Sequence, residues 1–181
     1  MLSPITEKIE IPEGVTVEIV GSLIKAKGPA GENERTFAHP KIEISKDDKI
    51  ITIVSKKPTK REKTMLYSFV AHLKNLLEGV GSKFIYKVKI CSSHFPMSVS
   101  VEGCEVVIKN FLGEKIPRKS KIMPEVDVKI DGDMIIVEGI DKEKTSVTAA
   151  RIEQITRVTN RDRRVFQDGC FIIEKAGKSV I

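Results

Sequence analysis

Tryptophan is absent from the 181 residues, and two tyrosines with seven phenylalanines supply all the aromatic rings. Tracks of single-stranded nucleic acid are held by stacking successive bases on exposed rings, so this composition argues against that mode of binding. Cysteine is scarce too. Cys91, Cys104 and Cys170 are an odd set without framework spacing, and read most simply as buried thiols in a reducing compartment. No apolar run reaches about 18 residues, so no membrane span is expected. The opening MLSPITEKIEIPEG lacks the basic start and long apolar centre of a secretory signal, and the expectation is a soluble, intracellular protein.

The constellations of catalysis are equally thin. The pair Cys91 and His94 in CSSH has no second close pair to complete a zinc site, since Cys104, Cys170, His39 and His72 are scattered. AGKSV imitates the end of a phosphate-binding loop, but Ile172 stands where the first glycine belongs and too little chain follows for the helix. The acid pairs Asp47–Asp48, Asp131/Asp133 and Glu102/Glu105 fall in turns or on strand surfaces, where nothing couples or buries them. No catalytic residue, metal, cofactor or small-molecule substrate is therefore expected.

What the chain does contain is a duplication. At an offset of 82, VEIVGSLIKAKGPAGE (Val17 to Glu32) lies against VSVEGCEVVIKNFLGE (Val99 to Glu114), with Gly21 on Gly103, Lys27 on Lys109 and Gly31-Glu32 on Gly113-Glu114. HPKIEISKDDKIITIV then matches MPEVDVKIDGDMIIVE after a two-residue shift, and KREKT matches DKEKT. Alternation such as Val15-Val17-Ile19 and Val99-Val101 has the period of half-buried strands, and KDD and Asp131-Gly132 are turn chemistry. Each copy continues into a helix. Thr59 and Glu62 form a capping box ahead of Met65, Leu66, Phe69, Val70, Leu73, Leu76 and Leu77, with Gly79 as the stop. In the second copy Asp141 caps a weaker face of Ala149, Ile152 and Ile155. One more strand follows each helix, FIYKVKI and CFIIEK.

These patterns predict an α+β fold of two tandem units, each an antiparallel β-sheet with a helix on one face. The boundary is expected near Ser92 to Phe95, giving an N-terminal repeat over residues 1–92 and a C-terminal repeat over 93–181.

The net charge of +6 is unevenly placed. The second half is nearly neutral, yet it holds six of the eight arginines, five of them between Arg151 and Arg164. Lys56 to Lys63 reads as a solvated helix start. Lys115, Arg118, Lys119 and Lys121 follow NFLG and contain Pro117 among them, which predicts a projecting basic loop. Arg157, Arg161, Arg163 and Arg164 exceed what one helix end needs, and guanidinium forks suit phosphate oxygens. Asp162 and Asp168 stand where they can hold some of these groups, with Phe166 between them as a core anchor. Two readings follow: a nucleic-acid-binding module, or a protein-interaction module whose arginines meet an acidic partner.

SSHFPM (Ser92 to Met97), NFLGEK (Asn110 to Lys115) and NRDRRVFQDGCFI (Asn160 to Ile172) resemble hallmark segments of the large-subunit ribosomal protein six family in its archaeal and eukaryotic branch, whose eukaryotic counterpart is large-subunit protein nine. The resemblance extends over essentially the whole chain. It implies a cytoplasmic structural constituent of the large ribosomal subunit, monomeric when free. The implied partners are large-subunit ribosomal RNA, bound chiefly through the second repeat, and neighbouring ribosomal proteins near the stalk base, the factor-binding site and the sarcin–ricin loop. The matching RNA-binding positions are Ser93, His94, Asn110, Gly113, Lys115, Arg157, Arg161, Arg163, Arg164 and Gly169, with Arg118, Lys119 and Lys121 directly after the matched motif. The bacterial branch has a Gly/Lys-rich segment where this chain has its arginine run, so bacterial contacts do not transfer.

Overall fold

The structure, a computed structural model, describes residues 4–56, 58–93 and 95–180. The chain divides into two compact units between Lys83 and Phe84.

In the first unit, strands β1 (Ile5–Glu10), β5 (Glu43–Asp47) and β6 (Ile50–Ser55) form one antiparallel sheet with β6 central. Strands β2 (Thr16–Val20), β3 (Leu23–Gly28) and β4 (Gly31–Thr36) form a second, a simple meander. The alternation acts as expected: Val17, Ile24, Ala26, Ile51 and Ile53 are buried, while Lys25 and Lys27 point outward to cross-strand partners Glu34 and Glu32. Helix α1 (Lys60–Gly81) packs against both sheets. Its buried stripe is Leu66, Phe69, Val70, Leu73, Leu76, Leu77 and Val80. The helix does not stop at Gly79. That residue is buried within the last turn, and the C-cap is Ser82.

The second unit repeats this plan. Strands β8 (Ser98–Glu102), β9 (Glu105–Lys109) and β10 (Arg118–Lys121) make the meander, with a 3-10 turn at Phe111–Gly113 inserted before β10. Strands β11 (Val126–Asp131) and β12 (Met134–Gly139) make the hairpin, and α2 (Lys142–Ile155) follows with its Asp141 cap accepting from the Glu143 N–H at 2.8 Å. The turn backbones match between copies: Gly21 and Gly103 adopt φ of 62° and 61°, and Asp48 occupies a left-handed position equivalent to that of Gly132.

One strand belongs elsewhere than the sequence pattern suggests. Phe84–Cys91 (β7) pairs with β12 on one side and with β13 (Gly169–Lys175) on the other, in a five-stranded sheet that ends in β14 (Lys178–Ser179). It therefore opens the second unit rather than closing the first, and the boundary lies at Lys83/Phe84 instead of Ser92 to Phe95. The physical reason is burial. Phe84, Tyr86 and Val88 are at most 5% exposed, in a core with Val106, Ile108, Phe111, Ile135, Val137, Ala149 and Ile152. Each such side chain contributes about 1.5–3 kcal/mol on burial. Its counterpart in the first unit is β1, which likewise pairs with the hairpin strand β6.

Candidate nucleic-acid interface

The three sequence-matched segments meet on one side of the second unit, joined by side-chain pins. The Ser93 backbone N–H and hydroxyl both donate to Asp168 Oδ1 at 2.6 Å. Asp168 is 4% exposed at the threshold of β13, so this carboxylate ties SSHFPM to the arginine segment, and among the described residues it pairs with no arginine. Asn110, in a left-handed conformation, donates from its amide to the Pro96 carbonyl at 3.0 Å. Gly113 sits against the Phe95 ring, where an added Cβ would lie 3.5 Å from ring carbons. Gly169 adopts φ +158°, and a Cβ there would approach the Phe171 ring at 3.2 Å and the Thr156 carbonyl at 3.4 Å. Ser93, Asn110, Gly113 and Gly169 thus shape the surface rather than offer charge. His94 lies outside the described residues.

The basic side chains divide by what they touch. Arg118 is engaged internally: its guanidinium reaches Glu114 through hydrogen bonds of 2.8 and 2.6 Å, reaches the Ile155 carbonyl at the end of α2 at 2.5 Å, and covers the buried Phe111 ring at 4.2 Å. NFLGEKIPRK is therefore a turn tied to the end of α2 through Arg118, the first residue of β10, not a free projection. Arg161 lies over Phe166 at 4.8 Å. Its charge joins the Arg118 hydrogen bonds, which act first, in holding the Glu114 carboxyl below the usual carboxylate range. Arg164 forms a forked pair with Asp162 two residues earlier, lowering the carboxyl's pKa, yet remains 90% exposed. A pair so wet adds little stability.

Lys115, Lys121, Arg157 and Arg163 are exposed, with no hydrogen-bond or ion-pair partner from their side chains among the described residues. Lys119 sits 3.7 Å from Glu105, a loose pair. On β10 the alternation sends Arg118 and Ser120 inward, and Lys119 and Lys121 outward on one face. A set of unpaired cations thus stands on backbone held by Asp168, Asn110 and Arg118. In the first unit Lys56 pairs with Glu43 at 2.8 Å and Lys41 with Glu62 at 3.0 Å, while Lys60, Arg61 and Lys63 stand exposed at the start of α1.

Beside the last turn of α2 lies a cleft of about 470 Å³, walled by Gln154, Arg157, Arg163, Phe166, Gln167 and Phe171. Sequence reasoning marked its arginines, read Phe166 as a core anchor where it is a half-buried ring on the wall, and passed over Gln154, Gln167 and Phe171. No local pattern could have found them, because the wall joins a helix end to an edge of β13 across a loop.

The family model for ribosomal protein L6 matches residues 11–83 and 95–169. The chain belongs to the ribosomal protein L6 family. The two matched segments cover the two copies of the L6 unit described above, less the leading strand of each and, in the second, nearly all of β13 and the whole of β14. Large ribosomal subunit protein uL6 of Methanosarcina mazei is 47% identical over 176 residues, covering 97% of this chain and all of the relative. The uL6 protein of Methanococcus vannielii is 45% identical over 174 residues, covering 96% of each. An L6 chain is a structural rather than a catalytic component.

Proposed function

We propose that this protein is a non-catalytic constituent of the cytoplasmic large ribosomal subunit that binds large-subunit ribosomal RNA through its second unit. Its seat is near the stalk base, the factor-binding site and the sarcin–ricin loop, as the family resemblance implies. The observation that supports this most directly is the set of unpaired cations, Lys115, Lys121, Arg157 and Arg163, held on pinned backbone. Positive charges spaced by a held backbone recognise a folded RNA by its phosphates and shape, and only their side chains then need ordering on contact. Ser93, Asn110, Gly113, Arg118 and Gly169 serve the interface by shaping it, Arg161 by bracing Phe166, and Lys119 and Arg164 by their outward charge.

The test is the salt dependence of binding to deproteinised large-subunit rRNA. Each neutralised phosphate releases counterions, so affinity falls linearly with salt on logarithmic axes. Lys115→Ala, Lys121→Ala, Arg157→Ala and Arg163→Ala are each expected to lower that slope by about one while leaving the fold unchanged. A slope indifferent to all four removes the proposed interface. Capture of an acidic ribosomal neighbour that is weakened by the same variants supports the rival protein-interaction reading instead.

A further inference from the structure

We propose that the cleft beside the end of α2 receives one unstacked nucleotide of the bound RNA, its base against the rings of Phe166 and Phe171 and its phosphate at Arg157 and Arg163. This rests on the RNA-binding reading above and goes further, because it assigns a base-recognition pocket to a surface otherwise argued to read phosphates. The volume of about 470 Å³ lies within the range of small-molecule sites. Its chemistry is mixed in the way a nucleotide requires: flat apolar faces, amides and cations together.

The ring of Phe171 is 41% exposed, on a strand position facing solvent. Phe166 is half-buried, and Arg161 stacked on it fixes its plane. The Gln154 side chain has no partner among the described residues. Gln167 donates through Nε2 to the Arg164 carbonyl at 3.0 Å, which orients its amide and leaves its oxygen and second hydrogen open. Glutamine amides bond the edges of bases, and unstacked RNA bases are gripped by rings and by hydrogen bonds to their edges. The two acids lining the cleft face the protein backbone instead: Glu153 accepts from the Ile172 N–H at 3.2 Å, and Asp168 from Ser93. Both keep their negative charge, which Arg157 and Arg163 on the same wall offset. An acidic peptide has use for the arginines alone, and leaves rings and amides unexplained. Sparse aromatics weigh against a track of stacked bases, but one nucleotide needs only one such pocket.

The experiment probes deproteinised large-subunit rRNA of Methanosarcina mazei with the full chain bound, using base-specific reagents and 2′-hydroxyl acylation. Within the footprint, one nucleotide is expected to lose base reactivity while its 2′-hydroxyl becomes more reactive, the signature of an unstacked, captured base. Gln154→Ala and Phe171→Ser change exposed positions and are expected to restore base reactivity at that nucleotide alone. Affinity falls about tenfold for the ring variant, with the salt slope unchanged; Arg163→Ala lowers the slope instead. A footprint with no such nucleotide, or one whose reactivity ignores both variants, overturns the pocket and spares the RNA reading. No footprint at all defeats both. Binding of poly-glutamate that Gln154→Ala and Phe171→Ser weaken, with the rRNA footprint unmoved, reassigns the cleft to an acidic peptide.

Discussion

At the scale of single residues, Asp168 matters out of proportion to its size. It is buried and accepts two bonds from Ser93, so Asp168→Ala leaves the Ser93 N–H without its acceptor. The expected loss is about 1–3 kcal/mol, read as a lower urea midpoint, with Asp168→Asn falling between the two because one oxygen acceptor survives. Glu62 gives a pH signature in the first unit. It takes bonds from the Thr59 hydroxyl, the Lys41 ammonium and the Thr59 backbone N–H, and these hold its pKa down at about 2 against an ordinary 4.5. A carboxyl with a depressed native pKa stabilises the fold above its unfolded pKa, and that contribution drains as pH falls from about 4.5 toward 2. Urea midpoints measured across that window should fall for the wild type, and Glu62→Gln should flatten the fall.

Among elements, β10 and α2 illustrate why arginine and lysine are not interchangeable. Arg118 serves a carboxylate, a helix-terminal carbonyl and a ring face at once. Arg118→Lys is expected to destabilise the protein by about 1–2 kcal/mol while leaving the RNA salt slope nearly intact, the opposite profile to Arg163→Ala. Thermal melts and binding isotherms on the two variants separate these roles. The elements themselves were largely legible. Helical spacing from Leu66 to Leu77 marked α1, the capping residues Thr59 and Asp141 marked both helix starts, and the offset of 82 located matching turns. FIYKVKI was legible as a strand too, but a strand pattern carries no information about which strands lie beside it. Likewise, Arg118 read as a surface cation because the helix-terminal carbonyl it binds, that of Ile155, lies 37 residues further along the chain. The basic stretch after NFLG read as a projecting loop, whereas Leu112 just before it holds φ 50°, a left-handed backbone that tertiary packing imposes on a branched side chain.

For the whole molecule, duplication supplied two similar frames that differ where the work is done. The first unit has three strands in its hairpin sheet and a 22-residue helix; the second has five strands and a 14-residue helix, with the arginine segment between α2 and β13. Shortening the helix frees its end, where Ile155 meets Arg118 and Gln154 borders the cleft. The added strand β13 in turn anchors the segment through Asp168 and Cys170, whose N–H donates to the Thr156 hydroxyl at 2.9 Å.

The place of β7 governs how the polypeptide matures as it is made. Everything the first unit requires has been synthesised by Lys83, so it can close at once. β7 emerges next with an apolar face and no neighbour: β12 begins only at Met134, and the edge joining Cys91 to Gly169 and Tyr86 to Lys175 awaits β13. Contacts so distant along the chain form late. Nascent chains halted before β13 should accordingly present a protease-resistant leading half and a trailing half that is digested, and the arginines acquire their fixed spacing only once β13 has been made.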